Sequence, residues 1–195
     1  MRVSRTVFVS LLFIGQAKAT IVRIDAIDQM THNSEIIAHV VVGEQTQKTG
    51  EDGRTIEFTS VEILEGLKGV KTGEVATIYQ LGDAGLSDGV RIAGQSKFRL
   101  GEELVLFGMK YDDMIVPYAV GLGKFRVLRN TSTTKIVEEI KDLVAVTMSE
   151  NKIVLQAPTP RMYPTLDQFK STIRKAIDRP LYALPVGPKA VRKKP

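Results

Sequence analysis

The chain has 195 residues, of which 43% are hydrophobic and 25% charged, with two histidines and no cysteine. That length suits one domain with short appendages, and the composition excludes wholesale disorder and a collagen-like chain. Without cysteine there is no disulfide framework, no cysteine nucleophile and no thiolate metal site; two histidines also exclude a three-histidine metal cage.

The formal net charge of +5 is unevenly spread. From Lys170 onward eight basic residues face one acid, Asp178, whereas residues 20–169 carry 16 basic and 21 acidic residues. The pattern is a mildly acidic body with a basic end, so the high pI does not describe a basic fold.

Residues 1–19 read as a secretory signal peptide. Arg2 and Arg5 open it, Val7 to Gly15 form an apolar run, and Ala17-Lys18-Ala19 is a small-x-small cleavage site. The run is too short for a bilayer span, which needs about 20 residues. The expectation is an exported protein, secreted or periplasmic, cleaved between Ala19 and Thr20. No later segment is long enough to cross a bilayer.

In Ile21 to His32 the three-residue spacing of Ile24, Ile27 and Met30 predicts a short helix. Ile36 to Val42 is β-branched and apolar on both faces, the pattern of a central strand. Gly50-Glu51-Asp52-Gly53 turns the chain into a strand that alternates as Ile56, Phe58 and then as Val61, Ile63. The phase slip at Thr59-Ser60 predicts a β-bulge there. Further strands are expected at Val75 to Tyr79, Val90 to Ala93, Leu104 to Phe107 (again apolar on both faces), Val116 to Val120 and Phe125 to Leu128. Residues 135–156 fit either a helix, through Ile136, Ile140, Leu143 and Val144, or a hairpin turning at Ser149-Glu150-Asn151; the β-branched pairs favour strands.

Pro160 and Pro164 delimit a linker, and Thr165 with Gln168 forms a capping box. Leu166, Phe169, Ile173 and Ala176-Ile177 then make one apolar stripe, so a helix across one mouth or face of the sheet is expected. The organisation predicted is a signal peptide (1–19), a β-barrel domain (20–158), a linker and C-terminal helix (159–179) and a disordered, basic, proline-rich tail (180–195). The fold class is mainly β: an antiparallel OB-like closed barrel, with a sandwich as the alternative, plus short N-terminal and C-terminal helices.

The β-branched strand Ile36 to Val42, a strand ending in Leu67-Lys68-Gly69, and Phe98-Arg99-Leu100-Gly101-Glu102 feeding Leu104 to Phe107 together resemble the netrin-like, OB-type barrel of tissue inhibitors of metalloproteinases. The resemblance spans about half the chain, Ser34 to Leu128. It implies a fold and no inhibitory mechanism, because those inhibitors chelate a protease zinc through an N-terminal cysteine and this mature chain would begin with Thr20.

Catalytic signals are weak. Gly85-Leu86-Ser87-Asp88-Gly89 has nucleophile-elbow spacing, but a strand-like segment follows and both histidines precede it, so it reads as a turn. Gly121-Leu122-Gly123 lacks the third glycine of a dinucleotide fingerprint and opens no helix. If the first segment is helical, Asp25, Asp28 and His32 share one side and are candidate metal ligands, against the simpler reading of a solvated face. His39, inside an apolar strand, reads as a hydrogen-bonded core histidine.

The functional expectation is an exported, non-enzymatic binding or accessory protein without a cofactor. Its partner is an unidentified protein or envelope ligand, met near Asp83, Asp88 and Arg91. The alternative is a secreted carboxylate- or metal-dependent hydrolase. The tail would add a weak contact with an anionic surface. Nucleic acid is the less favoured target, since no aromatic residue follows Tyr182 to stack a base.

Overall fold

The computed structural model describes residues 20–22, 25–51, 54–81, 94–129, 134–140, 143–149, 152–156 and 159–179. Residues 1–19, expected to be a signal peptide, the segment 82–93 with its expected short strand, and the tail from 180 lie outside the described residues.

The protein is mainly β, with a short helix near each end of the described chain. In chain order the elements are β1 (Thr20–Val22), α1 (Ile27–Asn33), β2 (Ile36–Thr49), β3 (Thr55–Lys68), β4 (Val75–Leu81), β5 (Glu103–Tyr111), β6 (Met114–Pro117), β7 (Lys124–Arg129), β8 (Thr134–Glu138), β9 (Leu143–Ser149), β10 (Lys152–Gln156), β11 (Met162–Tyr163) and α2 (Leu166–Ile177). Eight strands form one sheet in the order β11-β8-β7-β5-β2-β3-β4-β6, and β6 also pairs with β5. That last pairing closes β2, β3, β4, β6 and β5 into a ring of five. The sheet is antiparallel except where β4 meets β6, at Thr77↔Met114 and Ile78↔Ile115. It is therefore mixed, not purely antiparallel. A second sheet of three strands runs β1-β9-β10, with β1 parallel to β9.

The doubly apolar runs now have a physical cause. Side chains alternate along a strand, so Ile36, Ala38, Val40 and Val42 of β2 and Leu104 and Leu106 of β5 face the core inside the ring, with Val61, Ile63, Ile78, Phe98 and Ile115. Ile37, Val105 and Phe107 face the opposite way, into a second core with Phe125, Val127 and Ile136 and with Ile27, Met30, Phe169 and Ile173 of the two helices. β2 and β5 lie between two cores. Neither has a solvated face along these residues.

The bulge expected at Thr59-Ser60 sits on the facing strand. β3 keeps unbroken register with β4 from Ile56 to Glu62, whereas the β2–β3 pairing shifts between Val42↔Val61 and Gln45↔Thr59. Two residues of β2, Gly43 and Glu44, thus oppose Ser60 alone. Ile56 and Phe58 are out of phase with Val61 because they lie on the outer face, where Phe58 meets Tyr79 edge-on at 6.0 Å and Tyr79 meets Tyr111 at 5.4 Å. The apparent slip was apolar residues on both faces of a regular stretch of β3; the residues β3 itself carries in excess of β2 lie further on, at Leu64 and Leu67. The end of β3 is set by Gly69, at φ +72, where a Cβ would stand 2.2 Å from the Glu35 carbonyl oxygen.

Other boundaries shift for local reasons. The first segment is not one helix: Thr20–Val22 pairs with β9, and α1 begins only at Ile27. The described residues between 134 and 156 include three strands, β8, β9 and β10, with β9 and β10 paired antiparallel, as the β-branched pairs suggested. β6 stops at Pro117, and a turn carrying Ala119 (φ +43) and Val120 (φ +68) leads to β7.

α2 starts at Thr165, whose hydroxyl accepts the Gln168 N–H at 3.1 Å. Phe169, Ile173 and Ala176 are buried, with Leu166 and Ile177 packed beside them. The Phe169 ring lies 4.5 Å from Tyr163, 4.8 Å from Phe125 and 6.3 Å from Phe107. This aromatic cluster fastens the helix to the outer side of β5 and β7. Among the described residues no helix is long and apolar enough to cross a membrane.

Candidate functional site

The tetrapeptide Arg99-Leu100-Gly101-Glu102 is a turn, closed by the Glu102 N–H donating to the Arg99 carbonyl at 2.9 Å. Gly101 takes the left-handed conformation, φ +76, that the third position of such a turn needs. Its N–H donates to Val42 at 2.8 Å, tying the turn to the end of the β2–β5 pairing. The next residue, Glu103, opens β5, and β7 lies alongside with Leu104 opposite Arg126. Between the turn and β7 runs an open groove of about 370 Å³. Arg99, Arg126 and Arg129 line it with Leu100 and Val127, and Glu102 and Glu103 complete the lining.

Two of these arginines are held by carboxylates that are themselves anchored. Glu102 Oε1 lies 2.6 Å from Arg126 Nε, in contact as an ion pair. Its other oxygen accepts the Arg99 N–H and the Lys124 ammonium, the latter at 2.7 Å. Lys124 is fully buried, with Glu139 at 2.8 Å on another side, the Lys97 carbonyl as a further acceptor, and the Phe98 ring 5.1 Å away. Four groups around one ammonium compensate its loss of water. Arg129 forks onto Glu103, with Nε to Oε2 at 2.6 Å and Nη2 to Oε1 at 2.5 Å.

Behind Glu103 the chain of contacts continues inward. His39, 5% exposed, places Nε2 at 2.7 Å from Glu103 Oε1 and Nδ1 at 3.0 Å from the Lys170 ammonium. Lys170 has only protons to give, so Nδ1 accepts and Nε2–H donates to Glu103. Lys170 also binds Glu65 at 2.5 Å, and Arg174 binds the second Glu65 oxygen. Lys170 and Arg174 are thus two of the eight basic residues of the C-terminal segment, and folding sets both against the single Glu65 carboxylate of β3. Arg179 stands 3.9 Å from Asp28.

This network ties stability to pH. Burial holds the His39 imidazole below its ordinary value of 6.5, with the charge of Lys170 acting the same way against the hydrogen bond to Glu103. Burial would raise the Glu65 carboxyl, but the hydrogen bond and charge of Lys170, with Arg174, outweigh it and hold it below 4.5. The Arg129 hydrogen bonds do the same for Glu103. For each group the unfolded chain takes up a proton first as pH falls, so each loses stability in the same direction. The midpoint of urea unfolding is expected to be flat above about pH 7 and to fall steadily below 6.5, first through His39 and then, below 4.5, through the carboxylates. His39→Gln should flatten the upper part of that fall and leave the lower part. An unchanged slope between pH 6.5 and 5 would contradict the assignment to His39.

The residues expected from sequence lie elsewhere. Asp25 is buried before α1, where its carboxylate accepts the Tyr118 hydroxyl at 2.6 Å and its carbonyl accepts Arg161 Nη1 at 2.7 Å. Arg161 is forked onto Glu138, so this corner is an internal brace. Asp28 is exposed toward Arg179, and His32 sits near the end of α1 with its carbonyl accepting from Lys68. Among the described residues no group of three His, Asp or Glu side chains could hold a metal, and Asp25, Asp28 and His32 are not gathered into one. A seven-residue helix starting at Ile27 leaves Asp25 outside it, which removes the shared face. Asp83, Asp88 and Arg91 lie outside the described residues.

Sequence reasoning passed over Arg99, Arg126, Arg129 and Lys124. The one local signal was Leu100-Gly101-Glu102-Glu103, two adjacent acids after a glycine turn at the mouth of a central strand. No family model, curated protein or solved structure matches this chain.

Proposed function

We propose that this chain is an exported, non-enzymatic binding or accessory protein whose ligand surface includes the groove between the Arg99–Glu102 turn and β7. The observation that supports this is the way the groove's cations are held. Arg126 and Arg129 each rest on a carboxylate that is fixed in turn by Lys124 or His39. Side chains ordered before a ligand arrives lose little freedom on binding, which is how a recognition surface gains affinity.

The same geometry weighs against the hydrolase alternative at this place. General acid–base work needs two groups whose environments push their pKa values apart. Glu103 is instead held below the usual carboxylate range by Arg129, and Glu102 faces two cations. The ring of five strands is what supports the netrin-like resemblance, as architecture alone. Export rests on the Arg2, Arg5, Val7 to Gly15 and Ala17-Lys18-Ala19 pattern.

Affinity capture from the producing cell's envelope and extracellular fractions tests the reading. The bait is the mature chain from Thr20, compared with Arg99→Glu/Leu100→Asp, two changes at exposed positions of the turn. A species retained by the parent and lost with the double variant is the expected result. Equal recovery by both would remove the groove from the ligand surface.

A further inference from the structure

We infer that the groove binds a small oxyanion, a carboxylate or phosphate group, held by Arg99 together with Arg126 and Arg129. This rests on the reading of the groove as a ligand surface and adds the chemistry of what fills it.

Charge comes first. The groove and its buried support contain four cations, Arg99, Arg126, Arg129 and Lys124, against three carboxylates, Glu102, Glu103 and Glu139. His39 is neutral between Glu103 and Lys170, so one positive charge is left over. Arg99 is where it resides: among the described residues no acceptor pairs with its guanidinium, although its main-chain N–H is taken by Glu102.

Donor geometry comes second. A guanidinium has five N–H donors in a plane and no acceptor. Arg129 directs Nε and Nη2 at Glu103, which leaves Nη1 and the second Nη2 hydrogen. Arg126 meets Glu102 through Nε. The groove therefore presents an excess of N–H donors from three guanidiniums, and two-oxygen anions are the ligands that such planar forks bind best. The surroundings strengthen this. The Arg126 side chain is 34% exposed and its Glu102 partner 7%, so part of the site lies out of bulk water, where attraction to an anion is less screened. Leu100 adds exposed apolar lining, which favours an organic anion over a bare inorganic one.

The test is a titration of the isotope-labelled mature chain, followed by amide chemical shifts. Benzoate and phenyl phosphate serve as probes, and benzamide as the uncharged control of the same shape. Saturable shifts centred on residues 99–103 and 126–129 are expected with at least one anion and not with benzamide; which anion is tighter separates the carboxylate from the phosphate. Arg99→Ala should weaken the tighter anion about tenfold, the effect of one charge-assisted hydrogen-bonding group. Arg99→Lys should recover part of this, because it keeps the charge and loses the fork. Among the described residues the Arg99 guanidinium has no partner to lose, so these variants are expected to fold as the parent does, and a thermal melt checks it. Benzamide binding as tightly as the anions, no saturation with either anion, or equal affinity in Arg99→Ala would each overturn the inference. If no anion binds while Arg99→Glu/Leu100→Asp still loses the captured species, the groove remains the ligand surface and only its oxyanion chemistry falls.

Discussion

Replacing Lys124 with methionine is expected to destabilise the protein by about 3–5 kcal/mol, the range found when one partner of a buried ion pair is removed. Methionine fills a similar volume, so the loss is electrostatic and not a cavity. The ammonium it removes is fully buried and faces Glu102 at 2.7 Å and Glu139 at 2.8 Å. Both carboxylates are themselves sheltered, at 7% and 10% exposure, so water cannot take the lysine's place. For a domain of this size the melting temperature should drop on the order of 10 °C. A single variant melting within 2 °C of the parent, by ~2–4 °C per kcal/mol, would show that the lysine is not the keystone of this corner.

Phe169→Ala should cost a similar amount, about 3–5 kcal/mol, by a different route. The ring is fully buried and touches Tyr163, Phe125 and Phe107, so truncation leaves a cavity where α2 meets β5 and β7. The effect should not be uniform. α2 carries Lys170 and Arg174, the partners of Glu65 and His39, so loosening the helix also unpairs Glu65 and leaves His39 without its Lys170 contact. Amide hydrogen exchange along Leu166–Ile177 should accelerate well before that of β5. Arg174→Ala gives the scale for comparison: its side chain is 55% exposed, and loss of that ion pair should cost no more than ~1 kcal/mol. If exchange in α2 and β5 rose together, the helix would be part of one cooperative unit and the local account would be wrong.

What the sequence made legible was burial by hydrophobic pattern. Ile36 to Val42 and Leu104 to Phe107, apolar in both phases, do lie in central strands, because β2 and β5 serve two cores at once. Thr165, Gln168 and the stripe from Leu166 to Ile177 marked α2, since cap and stripe are local signals. What the pattern could not carry were charges buried by distant partners. Lys124 sits beside Phe125 with the alternation of an outward polar position, yet its face turns toward the ring, where Phe98 and Glu102 from another segment receive it. Lys170 reads as one more charge on a basic end, and Glu65, 105 residues away, makes it internal. Phe58 misled in the opposite sense: an aromatic on the outer face, packed on Tyr79, imitated a slipped strand. For Asp25, Asp28 and His32 the helix boundary was not legible: α1 begins two residues after Asp25, so Asp25 does not share the helix that carries the other two.

The proposed ligand surface is tested most directly by placing a photo-reactive phenylalanine analogue at Leu100 or, separately, at Val75 in the full chain produced in its own cell. The two positions are equally open, at 75% and 74% exposure, but only Leu100 lines the groove, and Val75 begins β4 outside it. A discrete adduct from position 100, absent from position 75 and lost when Arg99→Glu is added, is the predicted result. Adducts of equal yield from both positions, or adducts from position 75 alone, would contradict the groove as the place where this protein meets its ligand.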